Sequence, residues 1–353
     1  MRIHPEFNLS SIKRQSGLSL VELMIAITIG VVLMTGVVQM FVSSKTVFTT
    51  QQGLSRVQET GRLAIDFMAR DIRQAGFMGC SYYTDWSLNS TLNNTNQFGS
   101  DFSFETSLRA YESNALPAGM VLNPAPRADT QVIAVYAANE ESVAVSEQND
   151  ANNVYVELTT PAGAECPSGI CDNDIVAVAD CDKAMVFQAT TVNEQAGRVV
   201  LAHAAGANPG NQRTVWGGDA ENLIEIFDEG AEVLKLNTVV YYIADGPRGI
   251  PGLYQQVSGE QAFELLQGVE NINLAIGLDT NTDRVADNYV APAAVADWNQ
   301  VVAARLDVLV QSPDDNVSAE NQTYEFAGAE IEAADRRIRQ VFSTTVGVRS
   351  RLP

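Results

Sequence analysis

Four cysteines have the most reactive side chains in this sequence, and they stand at positions 80, 166, 171 and 181. An even number of cysteines fits two disulfides, which can be connected in three ways. The spacer Pro167–Ile170 resembles a turn, which favours a local bridge between Cys166 and Cys171 and leaves Cys80 to pair with Cys181. A zinc site built from four thiolates is the alternative, although the spacings include no C-x2-C pair. The choice depends on whether the cysteines reach an oxidising compartment.

A second candidate site is an acidic stretch in the C-terminal third of the chain. Oxygen-bearing side chains alternate there, as they do in calcium loops, at Asp279, Asn281, Asp283 and Asp287. A full EF-hand loop would have Gly and Glu where this sequence has Arg284 and Val290. We therefore interpret the stretch as a solvated loop between strands, with a weak calcium site as the alternative.

Residues suited to catalysis are few. The sequence has only two histidines, His4 and His203, and it lacks both a Gly-x-Ser-x-Gly motif and a phosphate-binding loop that ends in Gly-Lys-Ser/Thr. His203 follows a short apolar run and is interpreted as a structural residue at the end of a strand. We expect a protein that is not an enzyme and needs no cofactor, and an anchored hydrolase is the weakest functional class.

Composition indicates folded material, since 46% of the 353 residues are hydrophobic and 18% are charged. The formal net charge is -21, which argues against a protein that binds nucleic acid by neutralising phosphates. We therefore expect no direct contact with nucleic acid.

The chain begins with a basic segment and continues with a long apolar run. Between Leu18 and Val42 the only charged residue is Glu22. As a helix, this run would extend roughly 37 Å at about 1.5 Å per residue, enough for the ~30 Å hydrocarbon core of a membrane. Lys13 and Arg14 precede the run, which predicts a cytoplasmic N-terminus and export of everything after about residue 45. The cysteines would then lie where disulfides form.

A carboxylate inside a membrane helix costs roughly 2.5–3.5 kcal/mol or more, so Glu22 should have a partner. The string Gly17-Leu18-Ser19-Leu20-Val21-Glu22 resembles the junction of a type IV pilin precursor. The resemblance implies cleavage after Gly17 by a prepilin peptidase and N-methylation of Leu18, where Phe is the usual residue. It also implies that Glu22 acts in assembly.

Beyond the membrane run, apolar or small residues continue with helical spacing from Leu54 to Ala75. Short β-branched runs separated by polar loops follow, and the strands that they predict cover residues 132–136, 175–178, 185–189, 198–201, 233–243, 253–257, 272–278, 301–310 and 341–348. Residues 81–120, 141–153, 204–220, 279–297 and 312–322 are predicted loops. The predicted fold is α+β, with one N-terminal helix packed on a large antiparallel β-rich domain. Its segments are a leader (1–17), a membrane and assembly helix (18–42), an amphipathic continuation (43–75) and a globular domain (76–353).

Several strings resemble the PilW group of minor pilins more closely than pilins at large. They are Ala69–Phe77 with Gly79-Cys80, Asp180-Cys181 followed by Ala184 and Phe187, Gly249–Tyr254, Gly268–Asn271 and Val341–Val346. The resemblance implies a minor pilin of the inner membrane and the pilus fibre at the cell surface, with other minor pilins, the major pilin and the prepilin peptidase as partners. It also implies a role in priming assembly, near the fibre tip.

Two other interpretations remain open at this point. One is a J-type minor pseudopilin of type II secretion, and the other is a membrane-anchored extracellular adhesin or DNA-uptake component. A run of arginines close to the C-terminus, after Asp335, is interpreted as a solvated basic strand edge, or otherwise as a contact for an acidic subunit face: Arg336, Arg337, Arg339, Arg349 and Arg351.

Overall fold

The computed structural model describes residues 17, 19–79, 88–93, 107–206, 209–218 and 222–351. Within these residues there is one α-helix, α1, which covers Leu20–Gln74. The helix stops where the chain reaches Gly76, whose φ of 73° lies in the left-handed region that glycine adopts without strain. The N–H of Gly76 donates a hydrogen bond to the carbonyl oxygen of Tyr136, so the end of the helix is tied to the β-rich domain.

Contacts divide the chain into two compact units, Met1–Gln52 and Gly53–Pro353. In the first unit, α1 is apolar enough to cross a membrane, with a mean hydropathy of 2.3 over its most apolar window and none of that window buried. In the second unit, α1 buries one face only, consisting of Gly53, Val57, Gly61, Ala64, Met68, Ala69 and Ile72. The same helix is therefore unpartnered along its first half and is part of a folded core along its second half.

Seventeen strands lie in the described residues. They are β1 (Leu88–Ser90), β2 (Leu108–Glu112), β3 (Gln131–Glu147), β4 (Asn153–Glu157), β5 (Ile175–Ala179), β6 (Ala184–Gln188), β7 (Thr191–Gln195), β8 (Arg198–Ala202), β9 (Glu232–Asp245), β10 (Pro251–Val257), β11 (Phe263–Gln267), β12 (Val269–Leu278), β13 (Asn288–Val290), β14 (Val301–Gln311), β15 (Thr323–Phe326), β16 (Ala329–Glu332) and β17 (Arg339–Gly347).

The strands form a large sheet, a small sheet and a hairpin. The large sheet has eleven strands in the described residues, with the central order β1-β6-β5-β9-β3-β4-β8-β7, and β2, β10 and β11 at its sides. The small sheet has the order β13-β12-β14-β17, and β15 pairs with β16. Strand pairs are antiparallel except for β1 with β6. The α+β fold with a β-rich domain is therefore confirmed.

The core beneath α1 joins both sheets. Met68 and Ile72 are fully buried, in one hydrophobic cluster with Ile133 and Tyr241 of the large sheet and Leu306 of the small sheet. Burying a side chain of this size stabilises the fold by roughly 1.5–3 kcal/mol. Alternate residues within β9 and β14 point into this core, because successive side chains of a strand point to opposite faces.

All nine predicted strands are present, but some predicted loops are wrong. The segment 141–153 was expected to be a loop, whereas β3 continues to Glu147, with a register shift between Ala138 and Ser142 that lets it bend. Residues 81–120 include β1 and β2, and residues 279–297 include β13. Leu54 was assigned to the apolar face of α1, yet it is 39% exposed, and Gly53 is buried in its place.

Candidate functional site

The N-terminal end of α1 is capped by its own sequence. The hydroxyl oxygen of Ser19 accepts a hydrogen bond from the backbone N–H of Glu22 at 3.2 Å, and the carbonyl oxygen of Ser19 accepts one from Leu23 at 3.1 Å. A serine at this position satisfies an N–H group that a helix otherwise leaves without a partner. The helix therefore begins close to the predicted cleavage point.

Glu22 lies in the first turn of α1 and is exposed. The hydroxyls of Thr28 and Thr35 donate to carbonyl oxygens four residues earlier, at 2.7 and 2.8 Å, so these polar groups of the apolar segment are satisfied within the helix. The carboxylate of Glu22 has no ion pair or hydrogen bond in the part of the chain that the structure describes. Its pairing with a group outside the chain stays a prediction.

Gly17 is exposed, and no atom lies within 4 Å of the position that a Cβ would take. Leu18, the residue predicted to be methylated, lies outside the described residues. Exposure of Gly17 is compatible with cleavage after it, and both assignments remain predictions.

The comparisons with known families match both ends of the chain. Residues 12–38 match the Prokaryotic N-terminal methylation motif, and residues 240–350 match the family described as Type IV Pilus-assembly protein W. Together the two matches support a PilW-like type IV pilin. No curated protein and no solved structure matches it.

The segment that matches the PilW family begins within β9 and covers β10 to β17. It includes the small sheet on which α1 packs. The hydroxyl of Tyr241 in β9 donates a hydrogen bond to Oδ2 of Asp71 in α1 at 2.6 Å, and Gln255 Nε2 donates to the Tyr241 oxygen at 2.8 Å. Burial, together with the charge of Asp71, raises the pKa of Tyr241. Sequence analysis missed this contact, although Asp71 directly precedes a residue of the buried face, Ile72, where a carboxylate could reach the sheet.

The arginine run near the C-terminus is not a continuous basic surface. Arg339 is 7% exposed, and its guanidinium donates to the carboxylates of Glu270 and Asp335. Hydrogen bonds from Arg339 hold the pKa of Asp335 below its usual value against the opposing effect of burial. Arg337 donates to the carbonyl oxygens of Ser312 and Pro313, at 2.8 and 2.5 Å. The prediction of a solvated basic strand edge is therefore wrong at Arg339, whose charge is neutralised within the fold.

Cys166 and Cys171 form a disulfide with their Cα atoms 4.4 Å apart, which confirms the local bridge. Ser168 and Gly169 between them have φ values of 55° and 77°, which close the turn. This bridge excludes a zinc site of four thiolates. Cys181 is also disulfide-bonded, while Cys80, its predicted partner, lies outside the described residues.

The carboxylates of the acidic loop bind the loop's own backbone. Asp279 is 7% exposed, and it accepts N–H groups of Asn281, Thr282 and Arg284 at 3.1, 2.7 and 2.7 Å. Asp287 accepts the N–H and the hydroxyl of Thr280 at 2.8 and 2.6 Å, and these bonds lower its pKa.

This network favours the interpretation as a loop between strands, since the oxygens that calcium would use already have donors. Among the described residues, no group of three or more His, Cys, Asp or Glu side chains could hold a metal ion. Calcium binding by Asp279, Asn281, Asp283 and Asp287 stays a prediction.

His203 is fully buried. Its ring stacks on Trp216 with the centroids 4.3 Å apart, and it meets the edge of Phe187 at 5.8 Å. Burial lowers the pKa of His203 to about 4, so the imidazole is neutral at pH 7. These contacts support a structural role for His203, and sequence reasoning did not foresee Trp216 as its partner.

Proposed function

We propose that this minor pilin primes pilus assembly together with other minor pilins and lies near the tip of the fibre. Before assembly it is anchored in the inner membrane by α1. The observation that carries the proposal is the first half of α1, which combines an apolar surface with a single carboxylate at Glu22. The match of residues 12–38 to the methylation motif supports the same role.

The proposed mechanism is a non-covalent packing of helices. Cleavage after Gly17 by a prepilin peptidase would give Leu18 a free amine, which is cationic and becomes methylated. Glu22 of one subunit and the N-terminal amine of a neighbour can neutralise each other in the low dielectric of the bundle. This pairing requires neighbouring helices to run in the same direction, with their N-terminal ends at similar depth.

The exported β-rich domain would then supply lateral contacts to other minor pilins and to the major pilin. The whole chain has a formal net charge of -21, and so acidic a protein is poorly suited to bind nucleic acid directly. We therefore propose that the domain acts by contact and not by turnover.

Cleavage is tested first, with Gly17→Glu. This variant should remain in the inner membrane as a full-length precursor, and the wild-type mature chain should begin at Leu18 on N-terminal sequencing. A mature chain that begins elsewhere would remove the basis for the assembly mechanism.

Assembly is tested by comparing Glu22→Ala with Glu59→Ala, a matched change at an exposed position of the same helix outside the apolar segment. Glu22→Ala should insert and be processed, since removal of its carboxylate lowers the cost of membrane partition, and Glu59→Ala should do so because it leaves the apolar segment unchanged. Only Glu22→Ala should reduce surface piliation and co-purification with other minor pilins. Equal piliation of the two variants would contradict the pairing of Glu22.

A further inference from the structure

Strand β17 has an open edge. It pairs with β14 in an uninterrupted antiparallel register from Arg339↔Gln311 to Gly347↔Ala303, and no strand of the described residues pairs with its other side. With nine residues, β17 is longer than the other edge strands that the structure describes, which have three to five residues.

Hydrogen bonds identify which backbone groups of β17 face the open edge. The backbone N–H and C=O groups of even-numbered residues point toward β14. At the two ends of the strand, the N–H of Val348 donates to the carbonyl oxygen of Val302 at 2.9 Å, and the carbonyl oxygen of Ile338 accepts the N–H of Ser312 at 2.8 Å. Odd-numbered residues therefore face away from β14. The N–H and C=O groups of four residues lie along this edge without a partner in the described chain: Val341, Ser343, Thr345 and Gly347.

At Arg339, the first residue of β17, the outward-facing backbone groups already bind a side-chain amide. Arg339 also faces outward, and both of its backbone groups bind the side chain of Gln322, with the Arg339 N–H donating at 2.7 Å and its carbonyl oxygen accepting at 2.8 Å. The Gln322 amide thus occupies the place of a peptide group in an added strand, and it ends the open segment at Val341.

Proteins usually protect a long edge strand with a charge, a proline or a bulge. Val341–Gly347 has no charged residue and no proline, and its register has no shift. Ser343 and Thr345 are exposed on the open strand. This segment, about seven residues long, has the features of an edge that accepts an extended strand.

The hairpin β15–β16 indicates the charge of the occupant. It lies beside the start of β17, where Tyr324 packs 5.9 Å from the guanidinium of Arg339. Glu325 and Glu330 stand directly opposite each other on the hairpin, both exposed and without an ion-pair partner in the described chain. Two like charges in a cross-strand pair destabilise a hairpin, and a basic residue placed beside them would relieve the repulsion.

We propose that the open edge of β17 pairs with an extended strand of a different pilin subunit, and that this strand carries lysine or arginine where it passes the hairpin β15–β16. The choice of a pilin subunit rests on the proposed function. A second copy of this chain is disfavoured, because two β17 edges paired about a two-fold axis would turn the helix segments Gly53–Gln74 in opposite directions. Parallel packing of the helices would then be impossible.

The test is photo-crosslinking in piliated cells that express the full-length chain with a benzophenone side chain at position 345. A control chain carries it at Thr191, an exposed residue of the edge strand β7 in the other sheet. Position 345 should give an adduct with another pilin subunit, mapped by mass spectrometry to an extended segment that contains a basic residue. Position 191 should not give this adduct.

Backbone dependence is tested with Ser343→Pro, which removes an outward-facing N–H without breaking a bond to β14. It should reduce the adduct at position 345 about tenfold or more, whereas Ser343→Ala should leave it unchanged. Glu330→Lys should also reduce the adduct, whereas Glu260→Lys, at an exposed position away from the hairpin, should not. An intact Cys166–Cys171 disulfide and an unchanged unfolding temperature verify that each variant is folded. If Ser343→Pro does not fold, the effect of Glu330→Lys on the adduct tests the proposed pairing.

Three results would overturn the proposal: no specific adduct at position 345, an adduct that contains only this chain, or an adduct that Ser343→Pro and Glu330→Lys leave intact. Failure of the edge can be distinguished from failure of the proposed function. If the edge is unused, Ser343→Pro will remain piliated while Glu22→Ala does not, whereas normal piliation of Glu22→Ala contradicts the assembly role itself.

Discussion

Gly61 of α1 packs directly against the aromatic ring of Phe342 in β17. A Cβ atom at position 61 would overlap three carbon atoms of that ring, so the helix can approach the strand this closely only with glycine. The contact links the helix that anchors the pilin to a strand of the segment that matches PilW. Eight residues earlier, Gly53 makes a similar approach, where a Cβ would come within 2.8 Å of Cγ1 of Val317.

Replacement of Gly61 by alanine should destabilise the pilin despite the higher helix propensity of alanine. Overpacking costs about 1–3 kcal/mol, and the propensity gain of about 1 kcal/mol offsets part of it. The free energy of unfolding, measured by chemical denaturation of the detergent-solubilised protein, should fall by up to about 2 kcal/mol. Gly36→Ala is the control, since no atom lies within 4 Å of its Cβ position, and it should cause no loss. The second change Phe342→Leu should recover part of the loss, and additive effects of the two changes would argue against direct contact.

Both disulfides should form in the mature protein, and non-reducing peptide mapping should join Cys80 to Cys181 as well as Cys166 to Cys171. Replacing Cys80 and Cys181 with serine should lower the unfolding free energy by about 2–4 kcal/mol. Replacing Cys166 and Cys171 should lower it less, because that disulfide closes a far shorter loop and the entropy lost by the unfolded chain increases with loop length. Recovery of Cys80 as a free thiol would show that Cys181 has a different partner.

The free energy of unfolding should fall as the pH decreases from about 6.5 to about 4, because His203 is buried in its neutral form. Burial in the folded protein lowers the pKa of His203 from its ordinary value of 6.5 to about 4. The unfolded chain therefore binds an extra proton in this range, so stability is complete above pH 6.5 and is lost toward pH 4 by about 3 kcal/mol. The lowered pKa values of Asp150 and Asp335 act at more acidic pH, since their stabilisation is lost only as the pH falls through those values. For the wild type and for His203→Leu, the unfolding free energy at each pH is compared with that of the same protein at pH 7. His203→Leu should remove most of the decrease between pH 6.5 and 4.5. An unchanged decrease would mean that other groups cause it.

Asp279→Asn should destabilise the loop whether or not calcium is present. It weakens the charge-assisted hydrogen bonds to three backbone N–H groups, and a cost of about 1–3 kcal/mol is expected. Asp283→Asn is the matched control, because its exposed side chain keeps an oxygen for the N–H of Val285. Thermal unfolding with millimolar calcium and with a chelator should give the same midpoint for the wild type. A rise of several degrees with calcium, absent in Asp279→Asn, would show that the loop is a calcium site.

The sequence by itself determined the features that depend on neighbouring residues. An apolar run with one carboxylate, preceded by a basic segment, and apolar residues with helical spacing predict α1, because helix periodicity and membrane partition are local properties. Strands such as β9 and β14 were predicted for the same reason, since runs of β-branched residues are visible in the chain. The turn between Cys166 and Cys171 is local as well, and so was its disulfide.

Only the tertiary structure decided how these elements meet. Arg339 looks like a surface residue in the sequence, but it is buried because Glu270, 69 residues earlier in the chain, lies beside it. The contact of Gly61 with Phe342 and the open edge of β17 likewise depend on which strand pairs with β14. Such long-range pairings result from the simultaneous burial of several apolar faces and the satisfaction of backbone hydrogen bonds across the whole domain, which no single segment of sequence encodes.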